Sequence, residues 1–172
     1  TSRNQRGNNE LQEKIRDTYN VFKHVYEHMP DAPWVIAYSG GKDSSILLYL
    51  VKEFLLSQTK IKKTSPVIIL HNDTLGEIPT IQSWCNEFIK KIQKQFNDAG
   101  IPVEIAITEP MITESFYWRT VIYGYPSPTY KFRWCTNLLK ISPTSRYMYT
   151  LLSRYKKIVL FVGIRDDESI TR

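Results

Sequence analysis

Four short apolar runs separated by amphipathic segments organise the chain. The apolar runs, which predict buried strands, cover 34–38, 66–70, 102–107 and 157–163. Apolar residues recur with helical spacing in 10–28, from 42 to 57, in 79–99 and in 143–154, and Asn9 is a candidate cap for the first helix. Strands that alternate with helices in this way form parallel sheets with right-handed crossovers. The pattern therefore predicts an α/β fold.

Two segments carry further information. The third predicted helix places Ile81, Trp84, Phe88, Ile92 and Phe96 on one apolar face, and Cys85 within it is expected to be a buried structural thiol. The stretch 109–133 is rich in aromatic, proline and basic residues and shows no regular period. Connections of this length in compact domains tend to be functional. We therefore expect this long loop to contribute to a site.

A glycine-rich junction links the first strand to the second helix. Its sequence is Ser39-Gly40-Gly41-Lys42-Asp43-Ser44-Ser45. A strand that breaks at two glycines and restarts as a helix directs unpaired N–H groups and a positive dipole end at one point, which suits a phosphate. The glycines are adjacent and the lysine precedes an aspartate, so the spacing excludes a Walker A loop. The junction predicts a nucleotide-phosphate site of another kind.

Composition sets broader limits. A chain of 172 residues, 42% of them hydrophobic, suits one domain with a substantial core. No apolar stretch is long enough for a membrane span and no charged-then-apolar leader is visible, so we expect a soluble, cytoplasmic protein with no membrane partner. The net charge of +6 favours polyanionic partners, although ATP explains part of it. Nucleic-acid binding stays open, since the basic residues are scattered.

Parallel strands gather their carboxyl ends on one rim. That rim is expected to bring together Ser39–Ser45, His71–Thr74, Thr108, Glu109 and the segment that begins at Gly163. Two interpretations of His71 remain open, a hydrogen-bonded side chain packed at a strand end or a direct role in the site. His24 and His28 lie one helical turn apart without an evident third ligand, so an exposed pair is expected rather than a metal site.

The motif Ser-Gly-Gly-x-Asp-Ser resembles the PP-loop of the ATP pyrophosphatase group. The resemblance implies an adenine nucleotide alpha hydrolase-like sheet of order 3-2-1-4 with helices on both faces, and cleavage of ATP between the α and β phosphates. It also implies that adenosine lies near Asn72, Asp73 and Thr74 and that Mg²⁺ bridges the phosphates. Asp43 has two interpretations, a metal contact or a helix-capping carboxylate. The implied pyrophosphate-binding residues are Ser39, Gly40, Gly41, Lys42, Ser44 and Ser45.

Two further blocks extend the resemblance. The stretch 126–143, with Lys131, Arg133, Cys135 and Lys140, resembles the Arg-x-Cys…Lys-x-x-Pro stretch of PAPS reductases, and most closely that of DNA phosphorothioation proteins of the DndC/SspD type. The stretch 163–172 resembles the same family's Gly-x-Arg-x-x-Glu-Ser-x-x-Arg. Cations near a cysteine favour its thiolate and attract a sulfated or phosphorylated partner. The resemblance adds five residues to the implied nucleotide-binding set: Lys131, Lys140, Gly163, Arg165 and Arg172. The candidate catalytic residues that it implies are Lys42, Asp43, Arg133, Cys135 and Arg165.

The resemblance implies a function as well. The implied function is that of the adenylylating component in DNA sulfur modification. Such a component would use ATP and Mg²⁺ and act on DNA, and its implied protein partners are a cysteine desulfurase and other subunits of the modification complex. The alternatives are a PAPS or APS reductase and a non-catalytic ATP-sensing subunit of a DNA-bound complex. Trp134 stands where iron-sulfur reductases carry a first cysteine, so an iron-sulfur cluster would need cysteines outside this chain. We expect a helical extension at 1–30 and a PP-loop domain at 31–172 that continues beyond Arg172.

Overall fold

A computed structural model describes residues 2–58 and 65–164. Four strands and five α-helices follow one another in this part of the chain. They are α1 (Ser2–His28), β1 (Trp34–Tyr38), α2 (Lys42–Ser57), β2 (Val67–Asn72), α3 (Pro79–Asp98), β3 (Val103–Thr108), α4 (Trp134–Thr136), α5 (Ser142–Tyr155) and β4 (Val159–Val162). Between β3 and α5 lie a 3₁₀ turn (Ile112–Glu114) and two π-helical turns (Trp118–Ile122 and Asn137–Ile141).

The four strands form one parallel sheet of order β3-β2-β1-β4. The predicted α/β fold and its strand order are therefore confirmed. All four carboxyl ends lie on the same edge, and the central strands β1 and β2 are buried along most of their length. Buried parallel strands need apolar residues on both faces, which explains the unbroken runs in the sequence.

Successive side chains of β1 point to opposite faces of the sheet, and the core therefore consists of two layers. Trp34, Ile36 and Tyr38 pack against α1, α2 and α3, while Val35 faces the opposite layer with Leu151 of α5. Helices thus lie on both faces of the sheet. Phe22 and Tyr26 of α1 belong to the first layer, where both contact Trp34 and Phe54, so the end of α1 is part of the core.

Several sequence expectations about elements are wrong. Helix α1 begins at Ser2, so Asn9 lies inside the helix and does not cap it. On α3, Ile81 and Trp84 are about half exposed, although both were expected on the apolar face. The predicted burial of Cys85, Ile92 and Phe96 is confirmed, and Ile89 joins them. The stretch 109–133 contains two short helical turns that no period in the sequence indicated.

The helix predicted to start at Pro143 begins earlier. Residues Trp134–Tyr155 form a continuous helical segment with a π-helical turn at 137–141, where the N–H of Ser142 bonds to the carbonyl of Asn137. Proline has no N–H to donate to the preceding turn, and the wider turn directly before Pro143 accommodates that loss. No described helix combines the length and apolarity that a membrane crossing requires.

Candidate functional site

The glycine-rich junction forms a tight bend at the carboxyl end of β1. Gly40 has a φ of +76°, a left-handed conformation that favours glycine, and Gly41 precedes the first helical residue of α2, Lys42. No side chain caps this helix. Amides of a first helical turn have no acceptor within the helix, so this end of α2 can bind an anion at the rim of the sheet.

Three serines hold the bend in shape. The N–H of Ser39 donates to Ser44 Oγ at 3.2 Å, and Ser44 Oγ donates to the Gly41 carbonyl at 3.0 Å. Ser45 Oγ donates to the same carbonyl at 2.9 Å. Ser44 is buried, whereas Ser39 is exposed and also lines the neighbouring pocket. Two of the predicted phosphate-binding serines, Ser44 and Ser45, thus have a structural task within the bend.

The end of β4 packs directly on the start of α2. A methyl group added at Gly163 would lie 2.9 Å from the carbonyl oxygen of Asp43 and 3.2 Å from the amide nitrogen of Ser44. Only glycine permits this approach without a shift of backbone. Gly163, predicted from the third motif block, is therefore brought to the bend, while Arg165 and Arg172 of that block lie outside the described residues.

A pocket opens beside the bend at the carboxyl edge of the sheet. Its volume of about 120 Å³ is smaller than the roughly 300–1,000 Å³ of a typical ligand pocket. It can therefore enclose part of a nucleotide while the remainder lies on the open rim. The lining residues are Ala37, Tyr38, Ser39, Ser44, Leu70, Asn72, Glu77, Lys140, Thr144, Val162 and Gly163.

Two lining residues, Glu77 and Thr144, were missed by the sequence analysis. Glu77 lies in the connection between β2 and α3, and Thr144 is the third residue of α5. Neither belongs to a motif, and their place at the pocket depends on packing between distant parts of the chain. Lys140, from the second block, does reach the pocket. It lines the same pocket as Ser39 and Ser44 of the bend.

Asn72 connects three elements at the pocket wall. Its Nδ2 donates to Thr144 Oγ1 at 3.0 Å, and its Oδ1 accepts hydrogen bonds from Thr108 Oγ1 and Thr144 Oγ1. The side chain is therefore engaged with β3 and α5. These bonds fix where α5, and with it Lys140, meets the sheet.

The other strand-end residues also have structural partners. The N–H of Asp73 donates to the Thr108 carbonyl at 2.9 Å, and its carboxylate accepts from the N–H of Leu75 at 2.8 Å and from the Gln82 side chain. Buried His71 donates from Nδ1 to the Tyr38 carbonyl at 2.9 Å, which is the packed strand-end arrangement. The adenosine contacts predicted at Asn72, Asp73 and Thr74 stay predictions.

Most of the second motif block lies outside the pocket lining. Buried Trp134 stacks on Phe116 at 5.6 Å and donates from Nε1 to the Pro126 carbonyl at 3.0 Å, which anchors the long loop. Lys131 and Arg133 are exposed, and the Arg133 guanidinium lies 5.9 Å from the Tyr130 ring centre. Cys135 is half-buried. Among the described residues of this block, only Lys140 lines the pocket.

A second contact ties the same loop to α5. Arg146 Nη1 donates to Glu114 Oε2 at 2.9 Å, and Ser142 Oγ donates to the other carboxylate oxygen at 3.2 Å. Burial raises the pKa of Glu114, but hydrogen bonds from Arg146 and from the Met111 amide outweigh it, and the pKa is lower than the usual value. The ionised carboxylate therefore holds the 3₁₀ turn against α5.

Candidate metal ligands lie singly or in pairs in the part of the chain that the structure describes. This part contains no group of three or more histidine, cysteine, aspartate or glutamate side chains that could hold an ion. His24 and His28 stack at 4.1 Å with no third ligand in the described chain. Gly41, not Asp43, occupies the capping position of α2, and Asp43 is the second residue of the helix. Asp43 is therefore not the N-cap residue, and both a stabilising contact with the helix start and a metal contact stay predictions.

Comparison with protein families agrees with this geometry. Residues 33–172 match the family model of the phosphoadenosine phosphosulfate reductase domain. The chain belongs to this family. Membership, together with the parallel sheet and the bend, indicates an enzyme that uses a nucleotide. Nothing in the family match singles out the DNA-modifying type.

Curated relatives extend the comparison without naming an activity. Two uncharacterized proteins of Methanocaldococcus jannaschii are 28% and 27% identical over 158 and 171 residues, which cover 91% and 97% of this chain. The chain spans only 28% and 35% of their lengths. A solved universal stress family protein from Burkholderia pseudomallei matches at 14% identity over 79% of this chain and 98% of its own, with a TM-score of 0.34.

Proposed function

We propose that the protein binds ATP at the Ser39–Ser45 bend and cleaves it between the α and β phosphates. The acceptor would be an oxygen of the DNA backbone, which attacks the α-phosphorus while pyrophosphate leaves. In DNA sulfur modification of the DndC/SspD type, the persulfide sulfur of a cysteine desulfurase would then attack the activated DNA phosphorus, and AMP would leave with the activated oxygen. A thiol reductant would cleave the remaining sulfur–sulfur bond and leave the sulfur on DNA. The observation that carries the proposal is the uncapped start of α2 at a bend closed by Gly163.

Each residue has a physical role in this proposal. The first-turn amides of α2 and the exposed side chain of Lys42 would hold the β and γ phosphates. Lys140 lines the neighbouring pocket. Its ammonium group would stabilise the negative charge that develops during phosphoryl transfer. Arg133, Cys135 and Arg165 stay candidate catalytic residues on the motif resemblance alone.

Magnesium fits this arrangement only as a partner of the phosphates. Mg²⁺ is commonly held by one or two carboxylates together with substrate phosphates and waters, so Asp43 as the single protein ligand is compatible with it. The ion would neutralise phosphate charge.

A labelled-nucleotide experiment tests the proposed cleavage. The purified protein is incubated with DNA, Mg²⁺ and ATP labelled at the α and γ positions. We expect labelled pyrophosphate, with the α label in AMP or on DNA. Release of orthophosphate and ADP without pyrophosphate would contradict the proposal. ATP binding without any cleavage would instead favour the nucleotide-sensing subunit.

Matched lysine variants locate the site. Loss of a charged hydrogen bond costs about 1.5–3 kcal/mol, so Lys42→Gln is expected to weaken ATP binding by roughly ten- to a hundredfold. Lys91→Gln, an exposed lysine on α3, serves as the control of equal charge change and is expected to bind as the wild type does. Equal affinities in the two variants would place the nucleotide elsewhere.

The family match favours a second candidate, an enzyme that acts on PAPS or APS. Its sulfate group would meet Lys140, with Lys131 and Arg133 on the adjoining loop. Reduction would need a nucleophilic thiol, and in the described chain Cys85 is buried while Cys135 lies outside the pocket lining. Calorimetry that compares ATP with the two adenylylated sulfates separates the candidates, because preference for the sulfates would favour the reductase.

A further inference from the structure

The thiol of Cys85 lies directly beneath the phosphate-binding bend. A methyl group built at Gly40 would lie 2.4 Å from Cys85 Sγ, a distance that real side-chain carbons essentially never show, and no other heavy atom outside the adjoining residues lies within 4 Å of it. Cys85 is completely buried on α3. The underside of Gly40 is therefore in contact with one side chain from another element.

The surroundings of Cys85 identify it as a packing group. Tyr38, the last residue of β1, lies beside the thiol and stacks on Phe88 of α3 at 5.5 Å. Burial raises the pKa of Cys85, the nearby Glu77 carboxylate raises it further, and Tyr38 opposes them in part. The thiol is accordingly neutral and shielded from solvent. Such a group does not act as a nucleophile, but it sets how closely α3 and the bend approach.

We infer that Cys85 is a positioning residue for the nucleotide site, because its thiol supports Gly40 from below and fixes the height of the bend relative to the start of α2. The inference rests on the proposed binding of phosphates at this bend. It makes the size of residue 85 a determinant of nucleotide affinity although that residue touches no ligand. Because Cys85 lies on α3, the position of this helix also affects the geometry of the phosphate site. Helix α3 directly follows the connection that contains Glu77.

A double-mutant cycle tests the contact. Gly40→Ala is expected to weaken ATP binding at least tenfold, partly from the positive φ and partly from collision with Sγ. Cys85→Ala alone removes the support beneath Gly40 and should weaken ATP binding by at least threefold. In the double variant the added methyl group occupies the space left by Sγ, so its affinity should be at least threefold higher than that of Gly40→Ala. Calorimetry with ATP gives the dissociation constants, and the same cycle is read in Tm without ligand.

A neighbouring residue supplies the control. Ile89 lies one turn further along α3 and is also buried, yet none of its atoms lies within 4 Å of a methyl group built at Gly40. Ile89→Ala in place of Cys85→Ala should give no recovery. Independent, additive effects of Gly40→Ala and Cys85→Ala on ATP affinity would overturn the inference, since contacting residues couple and distant ones do not.

An enlarged side chain gives a second, independent reading. Cys85→Met should weaken ATP binding at least tenfold more than Val67→Met, which enlarges a buried side chain at the amino end of β2, away from the bend. Cys85→Ser should bind as the wild type does. Equal ATP affinities of the two methionine variants would refute a positioning role. Wild-type protein that binds no ATP refutes the proposed function itself, and the Tm cycle then still shows whether the contact exists.

Discussion

Substitution of Gly163 by alanine tests whether the end of β4 determines the position of the Ser39–Ser45 bend. The added methyl carbon would lie 2.9 Å from the Asp43 carbonyl oxygen, 3.0 Å from its carbon and 3.2 Å from the Ser44 nitrogen. All three are backbone atoms, which cannot rotate away as a flexible side chain can. Ordinary contact at about 3.4 Å or more thus requires β4 and α2 to separate by about half an ångström.

The separation has a stability cost that can be stated. Overpacking of this kind costs about 1–3 kcal/mol. For a chain of this size, each kcal/mol lowers Tm by about 2–4 °C, so Gly163→Ala should lose roughly 2–12 °C. The start of α2 would move with the strand end, and we expect ATP affinity to fall about tenfold in addition.

Gly76 provides the matched control. No atom lies within 4 Å of a methyl group built there, and its φ is not positive. Gly76→Ala should change stability by less than about 0.5 kcal/mol. Differential scanning fluorimetry and calorimetry with ATP measure both effects. If Gly163→Ala matches Gly76→Ala in Tm and in ATP affinity, the close approach of β4 to α2 does not position the bend.

Three further predictions concern groups around the site. Despite burial, hydrogen bonds, including one from Arg146, lower the pKa of Glu114 in the folded protein. The ionised carboxylate therefore stabilises the fold fully above the unfolded pKa of about 4.3. This contribution is lost as pH falls through the folded pKa. The Tm advantage of wild type over Glu114→Gln should therefore be full at neutral pH and disappear in acid; an advantage that persists in acid would contradict this. Burial raises the pKa of Tyr38 to about 12, so the stability of the fold should fall as pH rises above the unfolded pKa of about 10. Tyr38→Phe has no phenolic proton to lose, and its Tm should therefore decline less steeply across an alkaline pH series. Asn72→Ala leaves partners such as Thr144 unpaired and should cost about 1–3 kcal/mol in urea unfolding; a cost under half a kcal/mol would show that the network is not structural.

Local patterns predicted the sheet and the bend because both depend on residues adjacent in sequence. The run 67–70 is buried on both faces, and its uninterrupted apolar character required a central parallel strand. The glycines at 40 and 41 break β1 where the motif indicated, and Gly41 precedes a helix. Those features follow from backbone sterics and burial, which act over a few residues.

Long-range packing produced what the sequence did not predict. Glu77 and Thr144 line the pocket because the β2–α3 connection and α5 meet the sheet edge, and no local period encodes that meeting. Trp84 was expected on the apolar face of α3, yet it is half exposed, and Ile89 is buried beside Cys85 instead. A helical period defines a stripe only to within about one residue when apolar side chains flank it on both sides.

The π-helical turn at Asn137–Ile141 lets side chains before and after it face different parts of the protein within one helical segment. Downstream, Leu151 must face the sheet, and upstream, Trp134 must enter the aromatic cluster with Phe116. A regular helix would fix the angle between those two side chains, whereas one extra residue in a turn offsets it by about 100°. Deletion of a residue from this turn would therefore rotate Lys140 out of phase with the sheet edge. The length of the turn, as much as the identity of residue 140, therefore determines which residue of this segment lines the pocket.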